Sequence, residues 1–298
     1  MGKASRTKRL SAQERVAAQR AAARQAERRR QLLLTGGSVI GVLAIVIALV
    51  LIQMTRGAPK AGKSVRGTPA DSVVQKIARV PVSTLEAVGA GVGQTNKPRS
   101  IPGTPLTQNG KPQVLYVGAE YCPYCAAERW ALTQALSRFG TFSGVGLIRS
   151  GSTDVYANTP TLTFHKSKYT SKYLSFVPVE MQTVNKQALQ KPTAEQQALL
   201  QKYDVPPYVP SSEAGAIPFT DFANKYAIIG GSSYLPKVLS GLTWSEIATA
   251  MSDPASPVAK QVDGAANYIA ATLCKLTNNQ PANVCTSSSV TKLQGQIR

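Results

Sequence analysis

Acid is scarce in this sequence. Its 298 residues hold 15 Asp and Glu against 34 Lys and Arg, giving a formal net charge of +19. Such an excess points to nucleic acid, to anionic lipid or to a basic exported domain. The first of these lacks what it needs. The densest basic block is residues 1–30, with Lys3, Arg6, Lys8, Arg9, Arg15, Arg20, Arg24 and Arg28 to Arg30 opposed by Glu14 and Glu27, and it contains no aromatic side chain. Bases would find nothing there to stack on, so nucleic acid is not an expected partner. Histidine is almost absent too: His165 stands alone in a Lys/Tyr-rich stretch and reads as a surface residue. With four cysteines in the whole chain, a zinc site at Cys122 and Cys125 would have to recruit Cys274 and Cys285, which are spaced unlike a second knuckle. No metal and no cofactor are expected. There is no internal repeat.

Charge vanishes entirely between Leu32 and Ile52. As a helix this stretch would extend about 30 Å, the thickness of a bilayer's hydrocarbon core. A small-x-small cleavage site is also missing, since Gln53–Met54–Thr55–Arg56 follows the run. Residues 31–53 therefore read as a transmembrane signal anchor in a lipid bilayer. The basic block before it outweighs Lys60, Lys63 and Arg66 after it, which predicts a cytoplasmic arm at 1–30 and an extracytoplasmic domain beyond. Residues 54–70, rich in Gly, Pro and Lys, read as a flexible linker.

Hydrophobic content of 43 % is ordinary for a folded core. Short helices are expected over 72–78 and 83–88, and a loop over 89–110. Gln113 to Ala119 reads as an apolar strand, Cys122 to Phe139 as a helix stopped by Gly140, and Phe142 to Ile148 as a second strand. Strand, CxxC, helix, strand is half of a parallel α/β unit. Further on, Thr161 to Phe164 and Leu174 to Val179 read as extended. A helix is expected within Asn185–Tyr203, begun or broken by Pro192. A hairpin follows at 216–229, then a helix from Thr243 with Glu246 completing a capping box. The last helix is Val262 to Leu276, and 277–298 reads as a tail.

Cys122 and Cys125 sit where strand passes into helix. At a helix N-terminus, unpaired N–H groups and the dipole favour a thiolate. Cys122 is thus the expected attacking group, with Cys125 one turn inside to resolve the mixed disulfide. Pro123 suits the first helical position, where its missing N–H is no loss. Inert thiols or a fixed disulfide are the bland alternative. Cys274 and Cys285 flank a Thr/Asn/Pro segment in an oxidising compartment and read as a structural disulfide.

Tyr116–Val–Gly–Ala–Glu–Tyr–Cys122–Pro–Tyr–Cys125 is similar to the active-site strand and turn of thioredoxins, and Pro123–Tyr124 resembles the glutaredoxin dipeptide. Together with residues 159–180 and 217–231, it resembles a membrane-anchored, thioredoxin-like family catalogued as domain of unknown function 929. The resemblance implies a thioredoxin-like domain over 71–276, with a helical insertion at about 150–212 before a cis-proline facing the cysteines. Pro218, preceded by Ile217, has the better context for that proline, and Pro160 is the alternative. Where thioredoxins carry a buried acid on the central strand, this chain has Tyr116. Glu120 is a nearby acceptor for a proton or, more simply, a solvated charge. Two functions are compatible with these residues. One is an anchored oxidoreductase that exchanges disulfides with exported proteins and is reset by a membrane redox partner. The other is a non-enzymatic binding or assembly module of the cell envelope whose CPYC is only a stable disulfide.

Overall fold

A computed structural model describes residues 64–297. The basic block, the apolar segment at 31–53 and most of the expected linker lie outside them. Among the described residues no helix is long and apolar enough to cross a membrane. In chain order the elements are helices α1 (Thr68–Ala78) and α2 (Val82–Val88), strands β1 (Arg99–Ser100), β2 (Thr107–Gln108) and β3 (Lys111–Gly118), and helix α3 (Pro123–Ser137). Strands β4 (Gly140–Ser143), β5 (Gly146–Arg149), β6 (Pro160–Thr163), β7 (Lys168–Ser171) and β8 (Ser175–Glu180) follow. Helix α4 (Ala194–Tyr203), strands β9 (Phe219–Phe222) and β10 (Tyr226–Ile228), and helices α5 (Trp244–Ala250), α6 (Pro257–Leu276), α7 (Ala282–Cys285) and α8 (Ser288–Gln294) complete the chain.

The fold is mixed α/β, and β3 is its centre. Val114 and Tyr116 point into the larger core with Trp130 of α3 and Ile269 of α6. Leu115 and Val117 point the other way, into a smaller core with Tyr203 of α4. A strand covered on both faces reads as a continuous apolar run, which is why 113–119 was legible. β8 lies parallel to β3 on one side, from Gln113 opposite Ser175 to Gly118 opposite Glu180. β9 lies antiparallel on the other, followed by β10 and β1. The order across the sheet is therefore β8–β3–β9–β10–β1, with β2 clipped to the start of β3.

The parallel partner of β3 is thus β8 and not the strand expected at 142–148. That stretch breaks at Gly144, whose φ is +67°, into β4 and β5. These pair with β7 and β6 in two separate two-stranded sheets. Phe142 is drawn into an aromatic cluster with Phe164, Tyr169 and Phe176, which fixes β4 over that part of the core. The region 150–212, expected as one insertion, contains β8 and so contributes to the main sheet.

Local signals held closely at the helix starts. α4 begins just after Pro192, with Thr193 and Gln196 forming a capping box, and α5 begins on the Thr243–Glu246 box. α6 starts earlier than expected because Ser256 caps it and Pro257 takes its first position. At both ends the domain reaches further than 71–276. Within the expected linker, Val65 bridges Leu147, and Arg66 donates to the carbonyls of Gly144 and His165. The expected tail folds back as α7 and α8, burying Val290 and Leu293 in the larger core, while Ser288 and Ser289 bind the Glu86 carboxylate. Cys274 and Cys285 are disulfide-bonded, with Cα atoms 5.5 Å apart.

Candidate functional site

Strand β3 ends at Gly118 and the chain turns through Ala119–Tyr121 into α3. Cys122 is the N-cap of that helix, extended at φ −74° and ψ 123°, and Pro123 occupies its first position. Helix starts leave N–H groups unpaired. One of them, the N–H of Cys125, donates to Cys122 Sγ at 3.3 Å. Cys122 is 6 % exposed and Cys125 wholly buried, and both are free thiols.

Adjacency of β3 and β9 carries the second half of the site. The Ile217–Pro218 peptide, immediately before β9, is cis. Cys122 Sγ donates to the Ile217 carbonyl at 3.5 Å. The backbone of Ile217, just before the cis-proline Pro218, therefore stands at Cys122. Pro160 instead opens β6, where its carbonyl accepts from Trp130 Nε1 at 2.9 Å.

The two thiols sit in unequal electrostatic surroundings. Cys122 is held below the ordinary thiol range, chiefly by its hydrogen bond with the Cys125 side chain, against the opposing effect of burial; backbone N–H groups of Cys125 and Tyr124 and the charge of Arg129 add to it. Cys125 is pushed well up, chiefly by burial. Loss of a proton is thus easier at Cys122 than at Cys125.

Beneath them lies an ion pair that sequence reasoning missed. Arg129, one turn beyond Cys125 on α3, donates from Nε and Nη2 to the two Glu180 oxygens at 2.8 and 2.7 Å. It also donates to the Ala119 carbonyl at 2.7 Å, and both side chains are wholly buried. Burial works against the guanidinium charge, but facing Glu180 it stays charged. The available signal was an acid–base dipeptide, Glu128–Arg129, inside a helix otherwise buried all round.

Glu120 is not the solvated charge expected. It is buried, and Thr163 Oγ1 donates to it at 2.7 Å. Tyr124 packs edge-to-face on Tyr156, 5.9 Å between ring centres. It also lines an open cleft of about 550 Å³ together with Ile217, Tyr208, Arg99, Glu213 and Leu235. Tyr156 and Tyr208 were likewise not singled out from the sequence, since each lies in a loop without periodicity. Among the described residues no group of three or more His, Cys, Asp or Glu is placed to hold a metal ion.

Residues 97–275 match the family described as Domain of unknown function (DUF929), and the chain belongs to it. No curated protein and no solved structure matches the chain.

Proposed function

We propose that this member of the DUF929 family is a membrane-anchored, extracytoplasmic thiol–disulfide oxidoreductase built on a thioredoxin-like domain. Cys122 attacks a disulfide of an exported protein, and Cys125 resolves the mixed disulfide. The observation that carries the reading is the asymmetry of the two thiols. The attacking one caps a helix, touches the backbone just before a cis-proline and is biased toward thiolate. The other is wholly buried and held protonated. The sheet order β8–β3–β9–β10, with CPYC after β3 and Pro218 before β9, supports the thioredoxin-like assignment. The uncharged run from Leu32 to Ile52 and the basic block before it support the anchor and its orientation.

Exchange conserves disulfides, so turnover requires a second partner, a membrane redox protein that returns the pair to its starting state. The test is trapping. In the full-length chain, Cys125→Ser leaves the mixed disulfide unresolved. It is expected to accumulate exported proteins linked through Cys122, seen by non-reducing electrophoresis and peptide mass spectrometry. The same chain carrying Cys122→Ser as well is expected to trap none. Absence of any adduct with Cys125→Ser would overturn the reading and leave a binding module with an inert cysteine pair.

A further inference from the structure

Resolution asks for a deprotonated Cys125, yet its thiol is buried where charge is costly. We propose that the Tyr116 hydroxyl is the hydrogen-bond donor that steadies the Cys125 thiolate during the resolving step, an inference that rests on the exchange reading above.

Three observations place it there. Tyr116 is wholly buried on β3, and its Oη has no hydrogen-bond partner. A Cβ on Gly118 would stand 2.3 Å from Tyr116 Oη and 3.0 Å from Cys125 Sγ, so both atoms border the space that the missing side chain leaves open. The Arg129 guanidinium lies 5.8 Å from the Tyr116 ring centre, and its Nη1 is also buried without a partner. Buried polar groups are nearly always paired, and each exception asks for a reason. Here an unpaired phenol donor, with a buried guanidinium beside its ring, shares the space next to Gly118 with a thiol that is neutral at rest and negative in one step of the reaction. Donors fixed in advance toward a charge that develops later are the arrangement that lowers a barrier in a dry site.

Burial pushes the Tyr116 phenol well above its ordinary range, so it keeps its proton throughout and acts as a donor only. The step balances without it. The Cys125 sulfur attacks Cys122 Sγ and the Cys122–Cys125 bond forms. The bond from Cys122 to the substrate sulfur breaks, and its electron pair leaves on that sulfur. The proton lost by Cys125 passes through solvent to the departing thiolate. Oxidation of the protein pair equals reduction of the substrate disulfide.

Full-length protein in detergent, mixed with one equivalent of dithiobis-nitrobenzoate, releases thionitrobenzoate twice: when Cys122 is captured, and when Cys125 displaces the adduct. Tyr116→Phe is expected to leave the first phase unchanged, to slow the second about tenfold or more, and to move the second phase's pH midpoint up by about one unit. Replacing Tyr116 by 3-fluorotyrosine, a stronger donor in the same shape, is expected to speed the second phase. A second phase unaltered in rate and midpoint by both substitutions would overturn the proposal. A purely structural role is distinguishable, because it would lower the melting temperature and leave the second phase alone. The reagent is not a protein, so failure to trap exported proteins with Cys125→Ser would overturn the proposed function without touching this result. A wild-type chain that captures the reagent and never shows the second phase would overturn both.

Discussion

Arg129 and Glu180 meet where neither has any contact with solvent, and the three hydrogen bonds that Arg129 donates tie α3 to the end of β8 and to the turn before the cysteines. A buried pair of this kind is a poor source of net stability, but breaking it on one side strands a charge. Glu180→Ala is therefore expected to destabilise the domain by about 3–5 kcal/mol. The double change Arg129→Met with Glu180→Leu is expected to recover most of that loss, and urea unfolding of the three proteins checks both statements. At this scale the sequence was informative about chemistry that depends on neighbours along the chain. Cys122, Pro123 and Cys125 are legible because a helix start imposes its demands within four residues. Ile217 and Pro218 are legible because a strand, a turn and a glycine pair follow them. The Arg129–Glu180 pair is set by β8 lying beside β3, and no local pattern encodes that.

Strand identity shows the same boundary among the elements. The stretch 142–148 and the stretch 174–179 are both short, apolar and bounded by turn residues, and periodicity cannot say which of them pairs with β3. Gly144 and the aromatic cluster around Phe142 decide it. Helices α7 and α8 were missed because elements so short carry too few turns to show a period. They are nevertheless attached to the core: Val290 and Leu293 are buried against it, and the Cys274–Cys285 bond fixes α7 to the end of α6. Cys285→Ser is expected to lower stability by about 2–4 kcal/mol, read as a drop in melting temperature on non-reduced protein. A change in melting temperature within error would show that α7 and α8 hold without the bond.

The whole domain carries an unusual load of buried acid for so basic a chain. Burial raises Glu128 to about 7, against hydrogen bonds from Ser233. It likewise raises Asp221 to about 7 and Asp263 to about 8. Each binds its proton more tightly folded than unfolded, where its pKa is near 4. Their contribution to stability is complete below pH of about 4 and is lost as pH rises through 7 to 8. Thermal unfolding between pH 5 and pH 9 is thus expected to show a falling melting temperature, as the unfolding free energy drops by on the order of several kcal/mol. Asp263→Asn, which removes the group with the highest value and with both oxygens unpartnered, is expected to flatten the alkaline end of that curve.

The pairing of β3 with β8 also has a dimension in time. Gln113 waits for Ser175, so α3 and all four strands of the two small sheets are synthesised before the central strand is covered on that side. Chains fold largely from the N-terminus as they are made. Cys122 and Cys125 are therefore in each other's company long before Cys274 exists, and Cys274 and Cys285 then arrive almost together. A circular permutant that brought 274–285 out first would reverse that order, and the active-site pair would be made last.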